Sequence, residues 1–470
     1  MVRKTATTTS DQNAKASKRG SQALGLASIC FGFFLVMLDT TVMNVALPLL
    51  GRAFGGVLSN LEWVINCYTL VFASLLLTSG ALGDRFGARR VYLSGFALFT
   101  LASLLCSLVP TLNLLIASRA IQGIGAAMLV PGSLSLLTHL YADPEARARA
   151  VGIWAGVAGI SFASGPIIGG LLIDSLGWRS IFLLNVPVGI VAFELTRRFV
   201  SETPQKVHTG FDLVGQLLAI TTLFTFTFAL IEGQHEGWKS PLILGALFTS
   251  GISAVLFIVG ERLNRSPMLP LQLFTSSTFS AANVLGFLYN YSLYGLFFMF
   301  SLYLQDVRHY SASSAGLAFF PLTAVAGIIA PFAGRVMAHT GLRLSLFIGQ
   351  VSACVAALTL LFVGSKTDNT VILIGFALFG VGGGFSMPAI TAAVLASVPK
   401  EQSGIASAVL NTARQVGSVV GVALVGVMVN RNLFVAGMHF ALAVIAMVFF
   451  IGCILTLAYV PRKSKTAVID

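Results

Sequence analysis

The chain has 470 residues, of which 56% are hydrophobic and 10% charged, and it carries a net charge of +12. Soluble domains have about 25% charged residues, so this composition excludes a soluble globular protein and marks a polytopic membrane protein. The Lys and Arg lie scattered in short connections and the two tails rather than on one face, which argues for topology signals and against nucleic acid as a partner.

Met1–Gly20 is polar and basic, rich in Thr, Ser and Lys, with no apolar segment of its own. It predicts a disordered cytoplasmic tail and not a cleaved signal peptide. Apolar runs long enough to span a bilayer follow near 24–49, 63–82, 91–109, 113–138, 151–172, 181–199, 212–231, 242–260, 280–304, 316–337, 345–364, 371–396, 404–429 and 438–460. Fourteen spans put both termini on one side. Of the 29 Lys and Arg, 20 fall in tails and connections on that side and 6 on the other, so both termini are expected in the cytoplasm of a cell-membrane protein.

The first span contains Leu38–Pro48, LDTTVMNVALP, and so places Asp39 well inside hydrocarbon. An ionised carboxylate facing lipid there costs about 2.5–3.5 kcal/mol even on the lenient insertion scale, so Asp39 must face a cavity or a partner. Intramembrane acids mark proton or substrate sites; the plainer alternative is a hydrogen bond to a neighbouring helix. Tyr68 in the second span offers a polar aromatic contact for a ligand. Between the second and third spans, Gly80–Arg90 reads GALGDRFGARR. Its glycines, Gly80 and Gly87 among them, permit a tight turn, and Asp84 carries a negative charge to the membrane surface, where the N-terminal end of a facing helix can receive it. Arg85, Arg89 and Arg90 also read as plain anchoring on the positive side.

Arg119 in the fourth span is the second charge in hydrocarbon. It lies roughly 9 Å below the outer end of its span, against about 14 Å for Asp39. Gln122 and Asn44 could hydrogen-bond the two. A neighbouring guanidinium favours an ionised carboxylate and desolvation a neutral one, so a pocket alternating between wet and dry could load and release a proton; a purely structural pair is the alternative. In the fifth span, GPIIGG sets Gly165 and Gly169, and Pro166 and Gly170, four residues apart, which lets helix backbones approach closely while the proline kinks the helix. Glu194 precedes Arg197 and Arg198 by three and four residues, the spacing of an intrahelical ion pair. Spans seven and eight are almost free of charge and are expected outside the transport core. Tyr289, Asn290, Tyr291 and Tyr294 in the ninth span could supply polar and stacking contacts, or anchor at the interface. Arg414 and Gln415 stand in the thirteenth span with no acid nearby in the sequence.

Two internal similarities suggest duplication. Gly80–Arg89 overlays Gly334–Arg343 at an offset of 254, and Gly123, Gly125 and Pro131 overlay Gly380, Gly382 and Pro388 at an offset of 257. The halves implied are 23–200 and 266–460, with an insertion at 201–265 and tails at 1–22 and 461–470. Ala338 replaces Asp84 in the second copy.

LDTTVMNVALP, GALGDRFGARR, RAIQGIGAAM (Arg119–Met128), GPIIGG, WRSIFLLNVPVG (Trp178–Gly189) and NTARQVGSVVG (Asn411–Gly421) occur in that order along nearly the whole chain. Together they resemble the fourteen-helix drug:proton antiporters of the major facilitator superfamily, the QacA-like and EmrB-like multidrug exporters. The resemblance implies an all-α major facilitator fold of two six-helix halves plus two inserted helices, with spans one and four lining a cavity. It implies a latch between the halves around Asp84 and an interface at GPIIGG, where Ser161 stands in place of a frequent glycine, and a role for Arg414 between the halves. The expected activity is proton-coupled export of lipophilic, cationic or zwitterionic compounds by alternating access. The alternatives are a dedicated exporter of one metabolite or antibiotic, and an inner-membrane component working with a periplasmic adaptor. The expected partners are a small-molecule substrate, protons and the lipid bilayer. The histidines lack paired spacing, the five cysteines lack metal-ligand spacing, and no phosphate-binding loop is present, so no enzyme activity, cofactor or metal is expected.

Overall fold

A computed structural model describes residues 3–55, 58–141, 143–203, 212–264, 267, 269–399, 402–429 and 433–462. Its helices are α1 (Arg3–Phe54), α2 (Leu58–Phe86), α3 (Ala88–Leu108), α4 (Leu112–Leu140), α5 (Pro144–Leu176), α6 (Ser180–Phe199), α7 (Leu213–Glu236), α8 (Pro241–Leu263), α9 (Ser277–Leu302), α10 (Ala312–Ala318), α11 (Phe320–Thr340), α12 (Leu342–Leu360), α13 (Asn369–Ala396), α14 (Ser403–Met428) and α15 (Phe434–Tyr459). Among the described residues thirteen helical spans are long and apolar enough to cross a membrane, and α2, bent by 51° between Leu76 and Thr78, makes a fourteenth. The expected all-α, two-bundle architecture is therefore present.

Two details depart from the sequence reading. Helix α1 continues back to Arg3, where a disordered tail was expected; Ala6, Gln12, Ala14, Lys15, Ala16 and Lys18 favour helix, and no Gly or Pro interrupts before Gly20. The tenth span is broken into α10 and α11 at Phe319, because Pro321 in the first turn of α11 has no N–H to continue the ladder. The loop that opens the expected insertion at 201–265 and the C-terminal tail at 461–470 lie largely outside the described residues.

The duplication is visible in side-chain contacts. Gly87 and Gly341, 254 residues apart, open α3 and α12 at φ 97° and 87°, where a side chain would be strained. Two residues on, Arg89 donates to the carbonyl of Arg197 near the end of α6, and Arg343 donates to that of Leu457 near the end of α15. A Cβ on Gly125 would stand 2.7 Å from the backbone nitrogen of Phe99, and one on Gly382 would stand 2.8 Å from the Cβ of Ala353. The α3–α4 crossing in one half is thus repeated by α12–α13 in the other.

The halves meet away from the termini. On that opposite face Arg52 of α1 pairs with Asp306 just after α9 at 3.0 Å, and Gln305 donates to the Val45 carbonyl at 3.0 Å. Asp174 of α5 accepts the backbone N–H groups of Ala312 and Ser313 at 3.2 and 2.8 Å. On the face carrying the termini, Gly152, Gly156 and Gly159 of α5, Gly327 and Gly334 of α11, and Gly404 of α14 look onto open space. The polar ties between the halves described here thus lie on the face opposite the termini.

Helices α7 and α8 form a hairpin whose two members behave differently. Helix α8 packs on α7 with most of its surface toward lipid, whereas α7 lies against both α2 and α14 and so touches both halves. Gln216 donates to the Ser74 carbonyl at 2.7 Å, and Trp63 donates to Glu232 at 2.7 Å. The inserted pair is peripheral, as expected, but it borders the seam.

If the glycine crossings hold each half together, Gly125→Ala and Gly382→Ala should each cost on the order of 1–3 kcal/mol. Gly156→Ala, which meets open space, should cost little. Thermal unfolding of the purified protein checks this, and equal losses at all three positions would contradict it.

Candidate functional site: a buried ion pair between the first and fourth helices

Asp39 and Arg119 face each other across α1 and α4, with Arg119 Nη1 donating to Asp39 Oδ2 at 2.5 Å. Both side chains are almost fully buried, at 4% and 1% exposure. A bare ion pair in hydrocarbon does not recover its desolvation cost, so the remaining donors and acceptors must be satisfied. Here they are. Gln122 Nε2, one turn along α4 from Arg119, donates to Asp39 Oδ1 at 3.0 Å, while its Oε1 accepts from Arg119 Nη1 at 2.7 Å. Asn185 Nδ2 of α6 donates to Asp39 Oδ1 at 3.1 Å and to Ser103 Oγ of α3 at 3.0 Å. Arg119 Nε donates to the Val64 carbonyl of α2 at 3.2 Å, and its guanidinium lies 4.1 Å from the centroid of the Tyr68 ring. Five helices of one half thus converge on a single carboxylate–guanidinium pair.

Of the residues proposed from sequence, the structure brings Asp39, Arg119, Gln122 and Tyr68 together. Asn44 does not join them: five residues after Asp39 it is turned about 140° around α1, and its amide donates to the Thr40 carbonyl at 3.1 Å. Asn185 and Ser103 were missed. Asn185 lies in the quoted string WRSIFLLNVPVG, but a neutral amide gives no charge signal in an apolar run.

The ninth-span candidates divide. Tyr289 points away from the seam into its own half, packed against Phe379 and Phe449 with Gly383 beneath its hydroxyl, so it does not line a central cavity. Tyr294, five residues on and so on another face, meets Phe162 of α5 edge-on across the seam at 6.5 Å. Asn290 is buried and donates to the Gly286 carbonyl at 3.0 Å. Tyr291 is buried, with its backbone against Gly421. Arg414 reaches from α14 to α13, donating to Thr391 Oγ1 at 2.8 Å and the Met387 carbonyl at 3.3 Å, and makes no ion pair among the described residues. Gln415 beside it is half-buried.

GPIIGG serves two contacts at once. Gly165 and Gly169 lie on Thr41 and Val42 of α1, while Gly170 and the Pro166 carbonyl lie on α10 of the other half, at Ala312 and Gly316. Ser161 extends the α1 side, donating to the Phe34 carbonyl at 2.6 Å. In Gly80–Arg90, the arginines do more than anchor. Glu202, unremarked in the sequence, accepts from the Arg89 backbone N–H at 3.0 Å and pairs with Arg90 at 3.6 Å, and it occupies the space that a Cβ on Gly87 would need. Arg85 lies over the Phe86 ring at 5.4 Å. Gly80 faces open space, and Asp84 is half-buried in the last turn of α2. Glu194 pairs with Arg197 at 2.8 Å and with Arg198, as its spacing implies.

Comparison with known proteins now decides the family. Residues 29–422 and 283–469 match the Major Facilitator Superfamily. The chain belongs to the major facilitator superfamily. It is 37% identical over 445 residues to the methylenomycin A resistance protein of Bacillus subtilis, covering 94% of this chain and 95% of that one. It is 35% identical to the multidrug resistance protein Stp of Mycobacterium tuberculosis, over 86% of this chain and 75% of that one. It is 31% identical to the tetracenomycin C resistance and export protein of Streptomyces glaucescens, over 87% and 76%. Solved structures of similar fold include a bacterial homologue of the lysosomal transporter Spinster, in an inward-facing and unoccupied conformation, with TM-score 0.66, 16% identity and coverage of 93% and 96%. Another is a POT family transporter with a bound thioalcohol-conjugated peptide, with TM-score 0.71, 14% identity and coverage of 93% and 97%. This superfamily member is a transporter that works by alternating access, not an enzyme.

Removing one partner of the buried pair should be costly. Arg119→Leu leaves a buried carboxylate without its cation and should lose about 3–5 kcal/mol of stability. Asn185→Ala, which removes one hydrogen bond to a charged group, should lose about 1.5–3 kcal/mol. The charge-free Asp39→Asn/Arg119→Leu double variant should recover part of the loss. Thermal unfolding of the purified variants measures all three, and a double variant as weak as the sum of its parts would speak against the pairing.

Proposed function

We propose that this transporter exports lipophilic, drug-like compounds in exchange for protons, with the termini in the cytoplasm and the Asp39–Arg119 pair as the coupling site. The single observation carrying this reading is the pair itself: a carboxylate at membrane depth, buried and held by five helices of one half. Export of drug-like compounds is supported by relatives named for multidrug resistance and for antibiotic resistance and export. Coupling to protons is supported by chemistry. A carboxylate whose donors come from α4 and α6 changes surroundings if the halves rock, and loosening Arg119 or Gln122 from it makes room for a proton. Asp39 in its ionised form attracts a cation, so a cationic or zwitterionic compound and a proton compete for one group. The membrane potential adds about 2.3 kcal/mol per charge per 100 mV, enough to drive accumulation when protons enter.

The bias of basic residues toward the termini face supports that face as cytoplasmic, so the ties between the halves lie on the outer side. Tyr68 below Arg119 and Tyr294 at the seam are the proposed aromatic contacts for substrate. A second reading, export of one antibiotic, is favoured by the relative named for methylenomycin A alone, which matches over nearly its full length. The connections on the opposite face, such as Val109–Thr111, are short and offer little area to a periplasmic adaptor, so transport is proposed to proceed without one.

Asp39→Asn keeps the shape of the side chain but cannot ionise. In proteoliposomes with an imposed pH gradient it should reduce drug uptake to background while the protein still inserts, and undiminished gradient-driven uptake would move the coupling site elsewhere. Orientation is checked by single cysteines. Lys366→Cys should react with an impermeant thiol reagent from outside intact cells and Arg262→Cys should not; the reverse pattern would invert the topology.

A further inference from the structure

A second carboxylate lies deep in the protein, and the transport reading makes no use of it. Glu62, one turn into α2 at the opposite face, is 4% exposed. Its carboxylate is seated against α14 of the other half, where Gly426 leaves room: a Cβ there would collide with Glu62 Oε1. Glu62 Oε2 is buried without a hydrogen-bond partner among the described residues.

Among the described residues, the surroundings offer Glu62 no cation. On α7, the nearest charged group is Glu232, itself a carboxylate, whose Oε1 accepts the Trp63 N–H. Helix α14 presents only apolar residues, Ser418 and glycine from Gly417 to Met428. On α1, Arg52 is spent on Asp306, and on α4, Arg119 is spent on Asp39. The part of α3 beyond Arg90 carries no Asp, Glu, Lys, Arg or His. One turn deeper on the same face of α2, Asn66 is fully buried, and neither its amide nitrogen nor its amide oxygen is bonded. A carboxylate with an unpaired oxygen, a like charge beside it and no cation among the described residues is too costly to hold ionised in such a place, whereas the neutral acid is tolerated.

We propose that Glu62 is a second proton-binding site, built into the seal between α2 and α14: it holds a proton while the opposite face is closed and ionises when that face opens. Closure places the carboxylate against Gly426 and excludes water, so the seal forms only around the neutral acid. Opening exposes the group to solvent next to Glu232, and the proton leaves to water. Alkaline conditions on the opposite face therefore favour the open state and acidic conditions the closed one. The site rests on alternating access alone and stands whether or not Asp39 carries the coupled proton.

The test is a distance measurement between spin labels on Ser175→Cys and Lys366→Cys, one in each half at the opposite face, in purified protein whose native cysteines are replaced. The ratio of separated to closed populations should rise with pH, approaching about tenfold per pH unit between the protonation midpoints of the closed and open states. Glu62→Gln should flatten the curve and leave the face closed. Glu232→Gln removes a like charge and should move the rise to lower pH, while Asp39→Asn should leave it in place. If Glu62→Gln does not fold, Gly426→Ala takes its place: the added methyl displaces the carboxylate and should move the rise to lower pH. A flat curve in the parent, an unchanged slope in Glu62→Gln, or a Gly426→Ala curve that overlays the parent would each overturn the proposal.

Discussion

A carboxylate and a guanidinium buried together in a hydrocarbon slab set the terms for the first half of this transporter. Either charge alone would be pulled toward water or lost to protonation, and the pair is tolerated only because Gln122, Asn185, Ser103 and the Val64 carbonyl complete its hydrogen bonding. Each of these groups comes from a different helix or a different turn. Holding them within hydrogen-bond distance fixes how α1, α2, α3, α4 and α6 stand relative to one another, so the same contacts that make the site tolerable also make the half rigid.

Close approach of backbones is the second constraint. Lipid supplies no hydrophobic force between helices, so association depends on van der Waals contact and on small residues that permit it. Gly125 on Phe99 and Gly382 on Ala353 secure the halves internally. Gly170 on Ala312, and Gly316 on Pro166, do the same across the seam. Contacts of the first kind have to survive transport, while those of the second kind have to break.

Much of this was written in the sequence, and the reasons for the misses are physical. Charges stand out in apolar runs, so Asp39 and Arg119 were readable at once, and paired glycine strings at constant offsets disclosed the duplication. Asn44 and Tyr289 were misplaced for one reason: membership of a span says little about which face a side chain occupies. Asn44 is five residues from Asp39 and Tyr289 five from Tyr294, so each is turned about 140° from its neighbour. Asn185 and Glu202 were overlooked because their importance lies in partners distant along the chain, Asp39 and the start of α3. The broken tenth span was signalled by Pro321 but hidden by the apolar residues around it.

The end of α9 carries a further implication. Tyr303–Val307 is wound as a π-helix, with the Arg308 N–H bonded to the Tyr303 carbonyl five residues back at 3.0 Å. Such a turn accommodates one residue more than an α-turn, and everything beyond it is rotated relative to an uninterrupted helix. Gln305 and Asp306, which tie this half to Val45 and Arg52, sit within it. A chain one residue shorter here would wind as ordinary α-helix and swing these side chains by about 100°. The tie between the halves is thus a matter of phase as well as of charge, and length in this segment is as constrained as its chemistry.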